Sequence, residues 1–146
     1  MPDTIHLTVA TVIERDGKFL MVRETKNGIQ VINQPAGHVE PGEDVIAAAL
    51  RETLEETGWE ISIIGFLGFS NAMSMTTGIT YYRLTFVADA IRFDETAKID
   101  SDIDCAEWMS LEQIKDPSNP LRSEMVLVAL EDFISGRVFP MEIFRN

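Results

Sequence analysis

The stretch GHVEPGEDVIAAALRETLEETGW, from Gly37 to Trp59, sets four of its five glutamates, its arginine and two of its three glycines at offsets that call for a loop followed by one helix. The alanine-rich run from about Asp44 to Thr57 reads as that helix, with Glu43 near its start and Gly58 as the stop signal. At about 100° per residue, Ile46, Ala47, Leu50 and Leu54 share a stripe that is expected to pack, and Glu52, Glu55 and Glu56 fall nearly opposite. Carboxylates three and four residues apart repel one another near the negative end of the helix dipole. A bound hard cation with oxygen ligands, Mg2+ or Mn2+, relieves that cost.

An acidic helix face in a chain with 24 acidic residues is ordinarily just solvated. The complete pattern of Gly37, Glu43, Arg51-Glu52, Glu55-Glu56 and Gly58 asks for more than solvation. It resembles the Nudix box, the signature of hydrolases that cleave diphosphate linkages in nucleotides and related compounds. One departure is Thr53, where that family usually carries an aliphatic residue. The resemblance implies an α/β/α sandwich built on a mixed β-sheet, a single domain over residues 1–146 with its box at 37–59. The stretches AGHVEPGED, DSDIDCAEWMSLEQI, LRSEMV and SGRVFP are similar to the NudJ-like phosphatase branch of the family. That likeness implies release of orthophosphate from nucleoside tri- and diphosphates, and action on hydroxymethylpyrimidine diphosphate.

A chain of 146 residues with 45% hydrophobic content suits one globular domain. Its net charge of -12 argues against non-specific binding to nucleic acid or an anionic membrane, both of which need basic surface. A small phosphorylated substrate remains compatible, because metal ions reverse the local sign of a site. The opening MPDTIHLTVA lacks the basic start and apolar core of a secretion signal, and no apolar run approaches a membrane span, so a cytoplasmic protein, monomer or homodimer, is expected. Cys105 is the only cysteine, which excludes an internal disulfide; a buried structural thiol is the expected role.

Along the chain, Ile5 to Glu14 and Lys18 to Arg23 are β-rich runs around Asp16-Gly17, a tight-turn dipeptide. Gly28 to Asn33 reads as a short strand leading into a loop at 34–37. Glu60 to Phe69 and Ile79 to Ala90 read as further strands, the second alternating Tyr82, Leu84, Phe86 and Ala88 onto one face, with a polar, flexible loop from Ser70 to Gly78 between them. A last strand around Cys105 to Met109 runs into a capping box at Ser110-Gln113. Asn119 and Pro120 are expected to start a final helix that packs through Leu121, Met125, Val128 and Phe133 and stops at Gly136.

Diphosphate cleavage needs neutralised phosphate oxygens, a positioned water and help for the leaving group. Glu52 and Glu56, four residues apart on one face, are the leading metal ligands, with Glu55 as a third. By resemblance, the Ala36 carbonyl joins them. The expected catalytic set is Glu55, Arg51 and Asp102: Arg51 holds carboxylates in place, and the general base is either a box glutamate or an outside acid, Asp102 being preferred over Asp100 and Asp104. Gly37 and Gly58 are expected to permit backbone that other residues resist, and Glu43 to support the geometry. Arg23 is the candidate for phosphate, and Tyr82 or Tyr81 for stacking on a base. His38 reads as loop packing or a late substrate contact, His6 as a strand residue, and Trp59 and Trp108 as core aromatics. No proline lies between Pro41 and Pro117, which by resemblance disfavours ADP-sugar cleavage, and the extra motif of coenzyme A-cleaving relatives is missing. Two rival readings are a pyrophosphohydrolase of dinucleotides or nucleotide sugars and a non-catalytic, nucleotide-sensing domain.

Overall fold

The computed structural model describes residues 5–75 and 77–145; residues 1–4 of the opening stretch, and Thr76 of the 70–78 loop, lie outside them. Strands β1 (His6–Arg15) and β2 (Lys18–Lys26) form the expected hairpin. Asp16 and Gly17 both take positive φ, 53° and 77°, which matches the strand twist in a two-residue turn. Asn27 and Gly28 repeat the device at 53° and 79° and deliver β3 (Ile29–Asn33) onto β2. Where a loop is expected, Ala36–His38 form a short strand, β4, antiparallel to β1. Helix α1 (Val45–Thr57) follows, then β5 (Trp59–Met73), β6 (Thr80–Phe93), β7 (Ile103–Ser110), α2 (Leu111–Lys115) and α3 (Met125–Ile134).

The sheet is mixed: β1 and β6 run parallel, and every other pairing is antiparallel. Its order is β3-β2-β1-β6-β5, with β4 also on β1 and β7 also on β2. The strands β1 and β2 pair only next to their turn, at Glu14–Phe19 and Arg15–Lys18. Beyond those rungs β1 takes β4 and β2 takes β7 and β3, so the sheet parts into two halves. Helix α3 covers one face through Val126, Ala129 and Leu130 on Val12, Met21, Ile32 and Val87. Helix α1 covers the other through Ala48 and Ala49 on Val9, Phe66, Leu84 and Phe86, joined by Met141 and Phe144 near the C-terminus. This is the α/β/α sandwich, and β6 is buried on both faces, not only through Leu84, Phe86 and Ala88. Among the described residues no helix is long and apolar enough to cross a membrane.

Several expectations are corrected here. The packing face of α1 is Ala48, Ala49, Thr53, Glu56 and Thr57, whereas Ala47 and Leu50 of the expected stripe are exposed. Thr53 is fully buried, and its hydroxyl pairs with that of Thr11 at 2.9 Å, so a buried hydroxyl pair stands where an aliphatic side chain was expected. The final helix starts at Met125, not beside Asn119. The intervening Pro120 and Arg122 are held as an extended segment by backbone hydrogen bonds to Ile32. Asn119 instead donates its side-chain amide to the Gln113 carbonyl, and Val128 is exposed, with Val126 and Leu130 taking its place. Strand β5 runs past its expected end to Met73, which shrinks the polar loop to 74–79, and β6 runs on past Ala90 to Phe93. Cys105 is exposed on β7, not buried. The Ser110 capping box is present, with both reciprocal hydrogen bonds.

Candidate active site

Helix α1 is anchored at both ends. The Asp44 carboxylate accepts from the amides of Ile46 and Ala47, and Gly58, at φ 79°, returns its own N–H to Leu54. With its ends fixed, the helix drives Glu52 and Glu56 down against β4. A Cβ at Gly37 would overlap the Glu52 carboxylate, so glycine is what lets helix and strand meet. We expect Gly37→Ala to displace Glu52 and reduce activity at least tenfold with a small change in melting temperature, checked by kinetics beside calorimetry.

Glu56 is only 7% exposed. Its Oε1 accepts from the Ala36 N–H at 2.8 Å. Burial, with repulsion from Glu52, Glu24 and Asp100, pushes its carboxyl up to about 8 against that hydrogen bond. Burial also raises Glu52, opposed by Arg51. In an extended strand the N–H and C=O of one residue point to the same edge, so the Ala36 carbonyl shares the edge that meets Glu56. The His38 carbonyl on that edge accepts from Arg51 at 3.0 Å.

Arg51 is the hub of the box. Its Nε and Nη2 form a fork on Glu43 at 2.7 and 2.9 Å, and Nη1 donates to Glu52 at 2.9 Å and Glu55 at 3.2 Å. The Arg51 guanidinium holds the Glu43 carboxyl down at about 2. Among the described residues no three acidic, histidine or cysteine side chains converge at metal-ligating spacing; Arg51 holds Glu52 and Glu55 while the Ala36 amide holds Glu56.

A cleft of about 720 Å³ opens where the sheet parts, with Glu52, Glu56, Gly37 and Ala36 in its wall. Asp100 and Asp102 line it as well. Asp100 is the better placed, since its charge acts on both Glu52 and Glu56 and its N–H is tied to the Glu55 carbonyl; Asp104 is engaged by Thr25 and Gln30. Glu55 sits at the margin, half exposed, and does not line the cleft.

Two expected substrate contacts lie elsewhere. Arg23 alternates to the side of β2 away from the cleft and binds Glu107 at 2.8 Å and Asn119 at 3.1 Å. Tyr82 packs on Phe69, and its neighbour Tyr81 lines the cleft instead, edge-on to His6. His38 also lines it, with Nε2 2.8 Å from His6 Nδ1. Trp59 and Trp108 are core aromatics in edge contact at 5.7 Å, with Arg15 over both rings. Sequence reasoning missed Glu24, Asn33, Arg83 and Arg122, all of which line the cleft. Glu24 is buried and accepts from Arg122 at 2.6 Å. The available signal was charged residues, Glu24 and Arg83, at inward positions of otherwise apolar strands.

The family model described as "NUDIX domain" matches residues 4–128. Phosphatase NudJ of Escherichia coli K12 is 39% identical over 138 residues, 94% of this chain and 89% of that protein, and the Shigella flexneri NudJ matches equally. A NUDIX hydrolase structure from Nitrosomonas europaea superposes with TM-score 0.93 at 37% identity, covering 98% of this chain and 97% of that one. The NUDIX domain of Shewanella oneidensis NrtR, solved with ADP ribose, shares the fold at TM-score 0.74 and 18% identity over 92% of this chain and 90% of that one.

Proposed function

The chain belongs to the Nudix hydrolase family, and from that premise we propose that it is a Mg2+-dependent phosphohydrolase that releases orthophosphate from nucleoside tri- and diphosphates and from hydroxymethylpyrimidine diphosphate. The observation that carries the cation dependence is Glu56, a buried carboxylate crowded by Glu52, Glu24 and Asp100 with no cationic side chain bonded to it among the described residues. The donor set is all oxygen, which suits Mg2+ or Mn2+. Glu52, Glu56 and the Ala36 carbonyl would hold the ion, with Glu55 contributing from the margin. When bound, such an ion supplies positive charge to the phosphate oxygens and eases deprotonation of the attacking water.

The chain's own groups supply the rest. Arg51 fixes Glu52 and Glu55 while Glu43 fixes Arg51, a positioning chain that keeps the ligands from turning to solvent. The proposed proton acceptors for the water are Asp102 and the better placed Asp100 beside it in the same loop, with Glu55 the box alternative at the cleft margin. Tyr81 and His38, their rings tilted 59° to one another, offer aromatic faces against which a nucleobase or pyrimidine ring can stack. The orthophosphate assignment leans on likeness to NudJ along nearly the whole chain.

Separate assays of orthophosphate and pyrophosphate, with a nucleoside triphosphate, a nucleoside diphosphate and a dinucleoside polyphosphate as substrates, test the reading. Orthophosphate from the first two is the expected product. Pyrophosphate, or mononucleotides from the third as the dominant reaction, would move the enzyme to the pyrophosphohydrolase class. Binding without turnover would mark a sensor.

A further inference from the structure

The cleft also holds a positive charge that the chain leaves uncompensated. Cross-strand registers place Ser70, Arg83, Thr8 and His38 in one row across β5, β6, β1 and β4, and all four line the cleft. Arg83 Nη2 donates to Gln34 Oε1 at 3.0 Å. Gln34 is itself 1% exposed, and its amide nitrogen donates to the Val126 carbonyl at 2.8 Å, which fixes the oxygen toward Arg83. The Arg83 Nε is buried and has no hydrogen-bond partner. Arg23, Arg51, Arg92 and Arg122 each carry a carboxylate, whereas Arg83 has only the neutral amide among the described residues. Burial, with no opposing charge, draws its guanidinium down to about 10, still protonated at neutral pH.

A part-buried, oriented guanidinium with a buried, unpartnered Nε and no carboxylate beside it is unfavourable in the free protein and is satisfied by an oxyanion with matching acceptors. Its strand lies two inter-strand spacings, about 10 Å, from β4, where Gly37 and Ala36 meet Glu52 and Glu56. We propose that Arg83 binds a non-bridging oxygen of a substrate phosphate other than the one held at the carboxylate wall, which makes it the residue that reads the second phosphate of the substrate. The inference rests on the reading that the Glu52–Glu56 wall takes a cation. It explains how a chain of net charge -12 retains a polyanion: one end through the ion, the other through Arg83.

The test uses the full chain with methylenediphosphonate, a diphosphate analogue that is not hydrolysed, titrated calorimetrically with and without saturating Mg2+. Arg83→Met should weaken binding at least tenfold with Mg2+ and several-fold without it, leaving Mg2+ affinity unchanged; Arg83→Lys should recover part of the loss. In the parent protein the Arg83 Nε–H resonance should shift on adding the phosphonate, a readout independent of whether the variants fold well. Parental affinity in Arg83→Met, or an unmoved Nε–H resonance at saturation, overturns the proposal. Parent binding that ignores Mg2+ counts against the cation reading, and Arg83 is then judged on the Mg2+-free arm, where equal affinities overturn it.

Discussion

Glu56→Gln is expected to lower kcat/KM for a nucleoside di- or triphosphate by about 10³-fold, the equivalent of several kcal/mol of transition-state stabilisation lost with one cation ligand. The same variant should fold as well as the parent. Glutamine keeps the oxygen that accepts from the Ala36 N–H and copies the shape of the protonated acid, the form that burial favours with the carboxyl raised to about 8. The sign of the pH effect follows from linkage. The folded state holds the Glu56 proton more tightly than the unfolded chain, whose ordinary value is 4.5. Stability of the metal-free parent therefore falls as pH rises from about 4.5 through about 8, by roughly 1.4 kcal/mol per pKa unit and a few kcal/mol in all. Glu56→Gln removes that slope, so with chelator present at pH 9 the variant should be the more stable of the two. Urea unfolding across pH, paired with turnover assays, checks both halves. Parallel stability curves would deny the burial argument, and parental turnover would remove Glu56 from the cation site.

The stability and the activity of this residue pull in opposite directions for one reason. Glu56 sits on the face of α1 that packs, between Ala49 and Thr53 and the strand β4. Hydrophobic periodicity assigned that face to Ile46, Ala47, Leu50 and Leu54; Ile46 does pack, but Ala47 and Leu50 are exposed, because the side of a helix that is buried depends on what it meets. Ala48 and Ala49 allow close approach to Val9 and Phe86, and Gly37 leaves room for a carboxylate where any side chain would collide. A buried acidic face is costly in isolation, so its presence points to function more strongly than an exposed, solvated acidic face would.

What was legible in the sequence was whatever depends on local chemistry. The turn at Asp16-Gly17, the Gly58 stop, the Ser110 capping box and the offsets of the box are all backbone or near-neighbour effects. Features set by distant partners were not. Asn119 has the chemistry of a helix cap, but Ile32 captures the neighbouring backbone in strand-like hydrogen bonds and the helix begins later. Arg23 and Arg83 look alike in sequence, each one charged residue in a β-rich run. Only the pairing of β2 with β7 gives Arg23 a carboxylate in Glu107, while no strand supplies one to Arg83. Tyr81 and Tyr82 differ by one residue, and the pleat sends them to opposite faces.

Arg51→Lys should separate charge from geometry within the box. Lysine keeps the positive charge but replaces a planar fork by a point charge, and the present arrangement uses the fork on Glu43 while reaching Glu52, Glu55 and the His38 carbonyl at once. We expect kcat/KM to fall by about 10- to 100-fold, mostly in kcat, with Mg2+ affinity weakened in proportion, the range typical of groups that orient metal ligands. A second readout lies outside the chemistry: the Glu43 carboxyl, held at about 2 by Arg51, should titrate closer to 4.5 in the variant, visible by carbon NMR. If Glu43 titrates normally and turnover remains parental, the Arg51–Glu43 fork is only an ion pair on a helix. If the two change together, the arginine transmits the position of Glu43, near the start of α1, to Glu52 in the cleft wall and Glu55 at its margin, and the spacing of the box has its physical explanation.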